Sequence, residues 1–160
     1  MFFFFNNSKS YNFEGTHTAM DVAKYIIHKC TSANMPISNL QLQKILYYVQ
    51  ATSLKEHSSA LFTDEIEAWR FGPVVRSVYR AYCGYGAAAI YERKNPEKPF
   101  SDDEKELIDR VTREKMAKKP WDLVNETHAP GKPWALVYRN GLGKMQVIPK
   151  DVIAEYEYTG

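Results

Sequence analysis

Two side chains in this sequence have the types that proton transfer needs: Glu67 in EAWRFGP and His128 in ETHAPGKPW. A carboxylate and an imidazole can exchange a proton near neutral pH when their surroundings bring their pKa values together. Neither residue lies in a motif that completes an active site. If Glu67 is buried it needs a cation or an N–H partner, and Lys44, Arg70 or His128 can serve. A histidine just before a Pro-Gly turn also suits plain architecture, donating to a carbonyl or carboxylate and pinning the loop. The glycines of FGP, YGA, PGK and NGLGK supply neither a phosphate loop nor a dinucleotide turn, and no serine sits in G-x-S-x-G. His17, His28, His57 and His128 are scattered without metal-ligand spacing. Cys30 falls on an apolar face with no sign of thiolate activation. No catalytic residue, cofactor or metal is therefore expected, and a Glu67–His128 pocket is kept as the enzymatic alternative.

The other chemistry on offer is recognition. Lys44, Arg70, Arg76 and Arg80 interleave with Tyr47, Tyr48 and Tyr79, a mixture that can contact phosphates and stack on bases. Tryptophan, tyrosine and arginine are equally the anchors of protein interfaces. The charge balance decides between the two readings. With 21 Lys and Arg against 19 Asp and Glu the formal charge is only +2, whereas a dedicated nucleic-acid binder concentrates positive charge. A protein partner is favoured, with Lys44, Tyr48, Trp69, Arg76 and Arg80 as candidate contacts. Trp69 suits the core as well. Nucleic-acid binding with a role in transcriptional regulation is the alternative.

These residues must be held by elements that the apolar pattern outlines. Thr18 can cap a helix with Asp21 in its first turn, and Ala19, Ala23, Ile26, Ile27 and Cys30 make its inner face. Ser38 or Asn39 opens a second helix with Leu42, Ile45, Leu46 and Val49 as the buried stripe. Gln43, Lys44, Tyr47, Tyr48 and Gln50 then form a polar, aromatic surface. Residues 61–71 read as a short strand or extended segment stopped by Gly72-Pro73, and Pro73 suits the first turn of a third helix carrying Val74, Val78 and Tyr82. In that helix Arg76 and Arg80 share a separate face.

Ser101 followed by Glu104 is a capping box, and Leu107, Ile108 and Val111 face inward from the helix it opens. Helix is expected around Leu123 and Val124, broken at Pro130-Gly131. Asn140-Gly141 between apolar runs signals a hairpin, although residues 134–138 can also form a helical turn. Asp151 can cap a terminal helix. The fold class is mainly α: one compact multi-helix domain over residues 18–160, with a short β element, a possible C-terminal hairpin and a Phe-rich extension over residues 1–17. Such a chain, 44% hydrophobic, needs no disulfide staple, and Cys30 and Cys83 are expected as reduced, mostly buried thiols. The run MFFFF is too short for a signal peptide or a membrane span, which favours a cytoplasmic protein. It calls for cover by the domain or by a second copy in a homodimer.

LQLQKILYYVQ, LFTDEIEAWRFGPVVRSVY, LVNETHAPGKPW and VIPKDVIAEY, in that order, resemble the Panacea domain of SocA-like antitoxins, a family also seen in phage-associated proteins. The likeness spans about residues 19–156. Its helix motif falls on Leu42, Lys44, Ile45 and Tyr47. Its acidic, aromatic and Gly-Pro element falls on Glu67, Trp69, Gly72 and Pro73, its helix tyrosine on Tyr79, and its Thr-His and Pro-Trp pairs on Thr127, His128, Pro133 and Trp134. The resemblance implies an antitoxin of a prokaryotic type II toxin–antitoxin system, neutralising a toxin encoded nearby by direct binding. It also implies, in one branch, an adaptor that presents the toxin to an ATP-dependent protease. Two departures stand out: there is no room for a separate DNA-binding region, and NGLGK suggests a hairpin where the family has a short helix after Pro-Trp.

Overall fold

A single helix, α2 (Asn39–His57), forms the axis of the molecule. The computed structural model describes residues 9–159, so the MFFFF run lies outside the described residues. Around α2 are packed α1 (Ala19–Ser32), α3 (Arg76–Tyr82), α4 (Asp102–Met116), α5 (Pro120–Thr127) and α7 (Lys150–Tyr156). α6 (Pro133–Tyr138) packs on the first strand and against α5 and α7. The sheet is one antiparallel hairpin, β1 (Glu67–Trp69) and β2 (Gly72–Val74), in register Glu67 with Val74 and Trp69 with Gly72. The mainly helical fold with a short β element is thus as the sequence implies.

The local signals that start the helices behave as expected. Thr18 Oγ1 accepts from the Asp21 N–H, and the Asp21 carboxylate turns away to accept from Glu97 and Lys98 N–H, holding the proline-rich loop. Ser38 caps α2 in a reciprocal box with Gln41, and Ser101 does so for α4 with Glu104. Glu104 also takes the Nε2 of His17 at 3.1 Å, tying residue 17 to the far helix. Residues 9–17 run beside the loop after α2, with Asn12 bridged to Ser59 and His17 to Phe62. Replacing Ser101 by Ala removes the Oγ acceptor and costs about 1 kcal/mol. Thermal unfolding of Ser101→Ala should shift down by about 2–4 °C, the change 1 kcal/mol brings in a domain of this size.

Four expectations are corrected. The face of α2 expected as surface is interior: 14 of its 19 residues are buried, including Gln43, Lys44, Tyr47, Tyr48 and Gln50. Gln43, Lys44, Tyr47 and Gln50 each have a hydrogen-bond partner, and the Tyr48 ring lies under Lys115. Gln50 Oε1 accepts from Leu61 and Phe62 N–H while its Nε2 donates to Phe62 O. Gln43 accepts from Val75 N–H and donates to Asn39. Tyr47 donates to the Glu157 carboxylate. Apolar neighbours fill one side of α2, and these polar side chains fasten loops and the C-terminal turn to the others.

Second, Pro73 lies in β2, and α3 starts at Arg76. Neither turn residue, Arg70 or Phe71, has a positive φ; Gly72 does, at +112°, so the chain reverses on the glycine and continues as strand. Third, no hairpin forms at Asn140-Gly141. Both residues have positive φ, but they lie inside a 3₁₀ turn (Arg139–Gly141) that directly follows α6, and residues 145–148 pair with β1 instead. The short helix after Pro-Trp is therefore present. Fourth, Cys83 is exposed; Cys30 is buried, and burial pushes its thiol up to about 12.

Candidate partner-binding site

The family-motif residues converge beneath and upon the β1–β2 hairpin. Underneath, Lys44 reaches from α2 and donates from Nζ to the Pro73 carbonyl at 3.0 Å. It is 0% exposed, and burial lowers its pKa to about 7. Gly72 lies directly over it: a Cβ there would stand 2.6 Å from Lys44 Cε and 2.8 Å from Thr127 Oγ1. Thr127 caps α5 inward, donating to Val124 O. Pro133 opens α6 as its first residue, and Trp134 Nε1 donates to Trp69 O at 2.8 Å, fixing the hairpin from the other flank. Leu42 and Ile45 fill the core below.

His128 braces this layer by stacking. Its ring lies on Trp134 at 3.6 Å with planes 2° apart, and Trp134 stacks in turn on Tyr138 at 4.5 Å. Its backbone N–H closes α5 on Val124 and Asn125. The expected donation from the ring to a carbonyl or carboxylate is not made through Nε2, which is buried without a partner. Burial, then the nearby Lys44, lowers its pKa.

On the outer face Glu67 meets Arg76, a partner the sequence did not single out. Arg76 donates Nε to Oε2 at 3.0 Å and Nη2 to Oε1 at 2.7 Å, a two-pronged pair, while Trp69 Nε1 donates to Oε1 at 2.9 Å. The Arg76 hydrogen bond, aided by Trp69 and opposed by burial, holds the Glu67 carboxyl below its ordinary range. The guanidinium also lies over the Trp69 ring at 5.6 Å, and Tyr79 meets that ring edge-on at 4.9 Å. Glu67 is thus taken up by Arg76 and Trp69, and no hydrogen bond joins it to His128, Lys44 or Arg70.

Of the five candidate contacts, three are on the surface. Arg80 is exposed, and Trp69 and Arg76 are half-buried. Lys44 is sealed under the hairpin, and Tyr48 is 4% exposed, its ring covered by Lys115 Nζ at 4.0 Å, which is itself paired with Glu126. These two cannot touch a partner without unpacking α2. Sequence reasoning missed two residues at the hairpin tip. Phe71 and Trp121 meet edge-on at 5.3 Å and stay 44% and 56% exposed, with Arg70 over Phe71 at 5.2 Å. Trp121 stands among charged residues in KKPWD, and an exposed tryptophan there was the available signal.

A buried lysine and a threonine under a Gly-Pro hairpin, with a Pro-Trp helix against its flank, define a class rather than a reaction. Residues 42–135 match the family described as antitoxin SocA-like, Panacea domain, and the chain belongs to it. It is 33% identical to the protein named Antitoxin SocA of Caulobacter vibrioides (strain NA1000 / CB15N), the similarity covering 78% of this chain and 72% of that protein. No solved structure matches. Among the described residues no helix is long and apolar enough to cross a membrane.

Proposed function

We propose that the chain is the antitoxin of a type II pair, which neutralises a cognate toxin by binding it directly. Family membership supplies the antitoxin class, and the surface is what supports this mode of contact. The observation that carries it is the outer face of the hairpin, where Arg76 is held to Glu67 by two hydrogen bonds and lies over Trp69. Side chains fixed in this way lose little freedom on association, and ring-plus-guanidinium clusters are where interfaces concentrate their energy. Arg80, exposed on α3, adds a cation for acidic groups of the toxin. Phe71 and Trp121 extend the aromatic area at the tip. Lys44, Gly72, Pro73, His128 and Trp134 act from below by holding this hairpin in place, while Tyr48 packs under Lys115.

Calorimetry with the product of the adjacent gene tests the proposal. Arg76→Ala/Arg80→Ala should bind about tenfold or more weakly, the loss expected of central arginine anchors, while keeping the wild-type circular dichroism spectrum. Unchanged affinity removes the arginines from the interface. Failure of the wild-type chain to bind that product, or to restore growth when the two are co-expressed, removes the antitoxin mechanism itself.

A further inference from the structure

The strand edge beyond β1 has no neighbouring strand among the described residues. Residues 145–148 lie antiparallel to β1, with Val147 directly opposite Glu67. The flanking backbone bonds run from Ala68 N–H to Gln146 O at 2.8 Å and from Ile148 N–H to Ile66 O at 2.7 Å. Glu67 and Val147 are therefore a non-hydrogen-bonded pair, and alternation turns the N–H and C=O of Val147 away from β1. Neither has a partner among the described residues. Val147, moreover, lines a groove of about 600 Å³ with Leu136 and Val137 of α6 and Val152 and Tyr156 of α7. That volume lies within the range of peptide- and ligand-sized clefts. Its lining is mostly apolar, yet Arg139 stands in it too. The Arg139 guanidinium donates only to its neighbour Val137 O, at 3.4 Å, and pairs with no carboxylate among the described residues.

Apolar walls, an unpaired strand edge and an unmatched cation specify the occupant. We infer that this edge accepts an extended segment of a protein partner, which adds as a strand beside Val147. Its backbone C=O and N–H pair with the Val147 N–H and C=O. Apolar side chains at alternate positions enter the groove against Leu136 and Val152, and a carboxylate meets Arg139. This is strand addition: main-chain bonds supply affinity, and the groove and the cation select the sequence. The inference deepens the antitoxin reading by naming how the toxin is gripped, and it rests on that reading for the partner's identity. Val147 and Glu67 sit side by side on the sheet, so an added strand continues the surface that carries Trp69 and Arg76.

The probe is an acetylated, amidated heptapeptide, Glu-Val-Thr-Val-Thr-Val-Glu, titrated into the isotopically labelled full chain. In the free protein the Val147 amide should exchange fast while those of Ala68 and Ile148 are protected. Peptide should shift the Val147 amide and slow its exchange about tenfold or more, and methylating the central valine nitrogen should weaken binding about tenfold. Leu136→Glu, at an exposed position, should weaken it likewise at unchanged melting temperature. A Val147 amide already protected in the free chain overturns the inference, since a second copy or the chain itself then covers the edge; the mass in solution tells which. An amide unmoved by millimolar peptide overturns it too. Val147→Pro removes the outward donor without touching a bond to β1. If that variant holds the adjacent gene product as the wild type does, the edge is not the grip although the antitoxin reading stands. If the wild type itself does not bind that product, the antitoxin reading fails and the peptide titration still decides the edge.

Discussion

Gly72→Ala should lower the unfolding free energy by about 2–4 kcal/mol, the sum of a strained backbone and a displaced buried side chain. Gly72 has φ +112°, outside the range an alanine adopts without strain. The added methyl would also stand 2.6 Å from Lys44 Cε and 2.8 Å from Thr127 Oγ1. One of the two must move, and neither has room: Lys44 is fully buried with its Nζ committed to Pro73 O, and Thr127 is committed to Val124 O. Urea unfolding would show the loss as a lower midpoint at unchanged slope. Gly84→Ala is the matched control, because nothing lies within 4 Å of its Cβ position. Equal midpoints for the two variants would mean that the hairpin is not seated on Lys44. On the function proposed above, the same substitution should also weaken binding of the adjacent gene product, since Trp69 and Arg76 are presented by this hairpin and the helix after it.

The positions of the helices were legible because their signals are local. Thr18, Ser38 and Ser101 each accept from the N–H three residues on, and the inner stripes of α1, α2 and α4 are buried as their spacing implies. What the sequence did not convey is position in the molecule. A helix with one apolar stripe reads as lying on a surface, so Gln43, Lys44, Tyr47, Tyr48 and Gln50 were expected to face outward. They face inward because α2 is surrounded, and the partners of Gln43, Lys44, Tyr47 and Gln50 outside the helix lie 11 to 110 residues away by chain number. A polar residue that fastens a distant loop and one that faces water look the same in a single sequence. Strand pairing failed for a related reason. Asn140-Gly141 adopts the positive φ values of a hairpin turn, but pairing is decided by which segment lies beside 145–148, and that is β1.

At the site, the sequence identified the residue types but divided their roles wrongly. Lys44 and Tyr48 were placed with the contacts because cations and tyrosines favour interfaces; the structure moves both beneath the surface. The partner of Glu67 was legible only after the hairpin was known, since Arg76 is nine residues on and is brought back by the turn at Arg70 and Phe71. The family motif then gains a physical meaning. Lys44, Gly72, Thr127, His128 and Trp134 form a seat, and the side chains above it are what a partner can meet.

The seat has a titration of its own, and Lys44→Met should remove it. Burial puts the folded-state pKa of Lys44 at about 7, against an ordinary value of 10.5. Between those values the unfolded chain holds a proton that the folded chain has lost, so stability rises with pH across the window. The slope contributed by one such group approaches 1.4 kcal/mol per pH unit, about the energy of one pKa unit. Below about pH 7 Lys44 is protonated in both states and its contribution is flat, at the low plateau that reflects burying an ammonium. His128, also lowered, adds a further loss as pH falls through its ordinary value of 6.5. Tyr47 and Tyr48 are raised by burial, so they remove stability only above their ordinary value of 10.0. Cys30, raised by burial from 9.0 to about 12, begins to remove stability toward pH 9 in both proteins alike. The difference between wild type and Lys44→Met in urea unfolding at pH 7, 8 and 9 thus isolates the lysine. Methionine keeps the length and the packing but carries no proton, so the wild-type rise across these three points should flatten in Lys44→Met. Parallel curves for the two proteins would show that Lys44 stays charged when folded, and that its bond to Pro73 is made by an ammonium rather than a neutral amine.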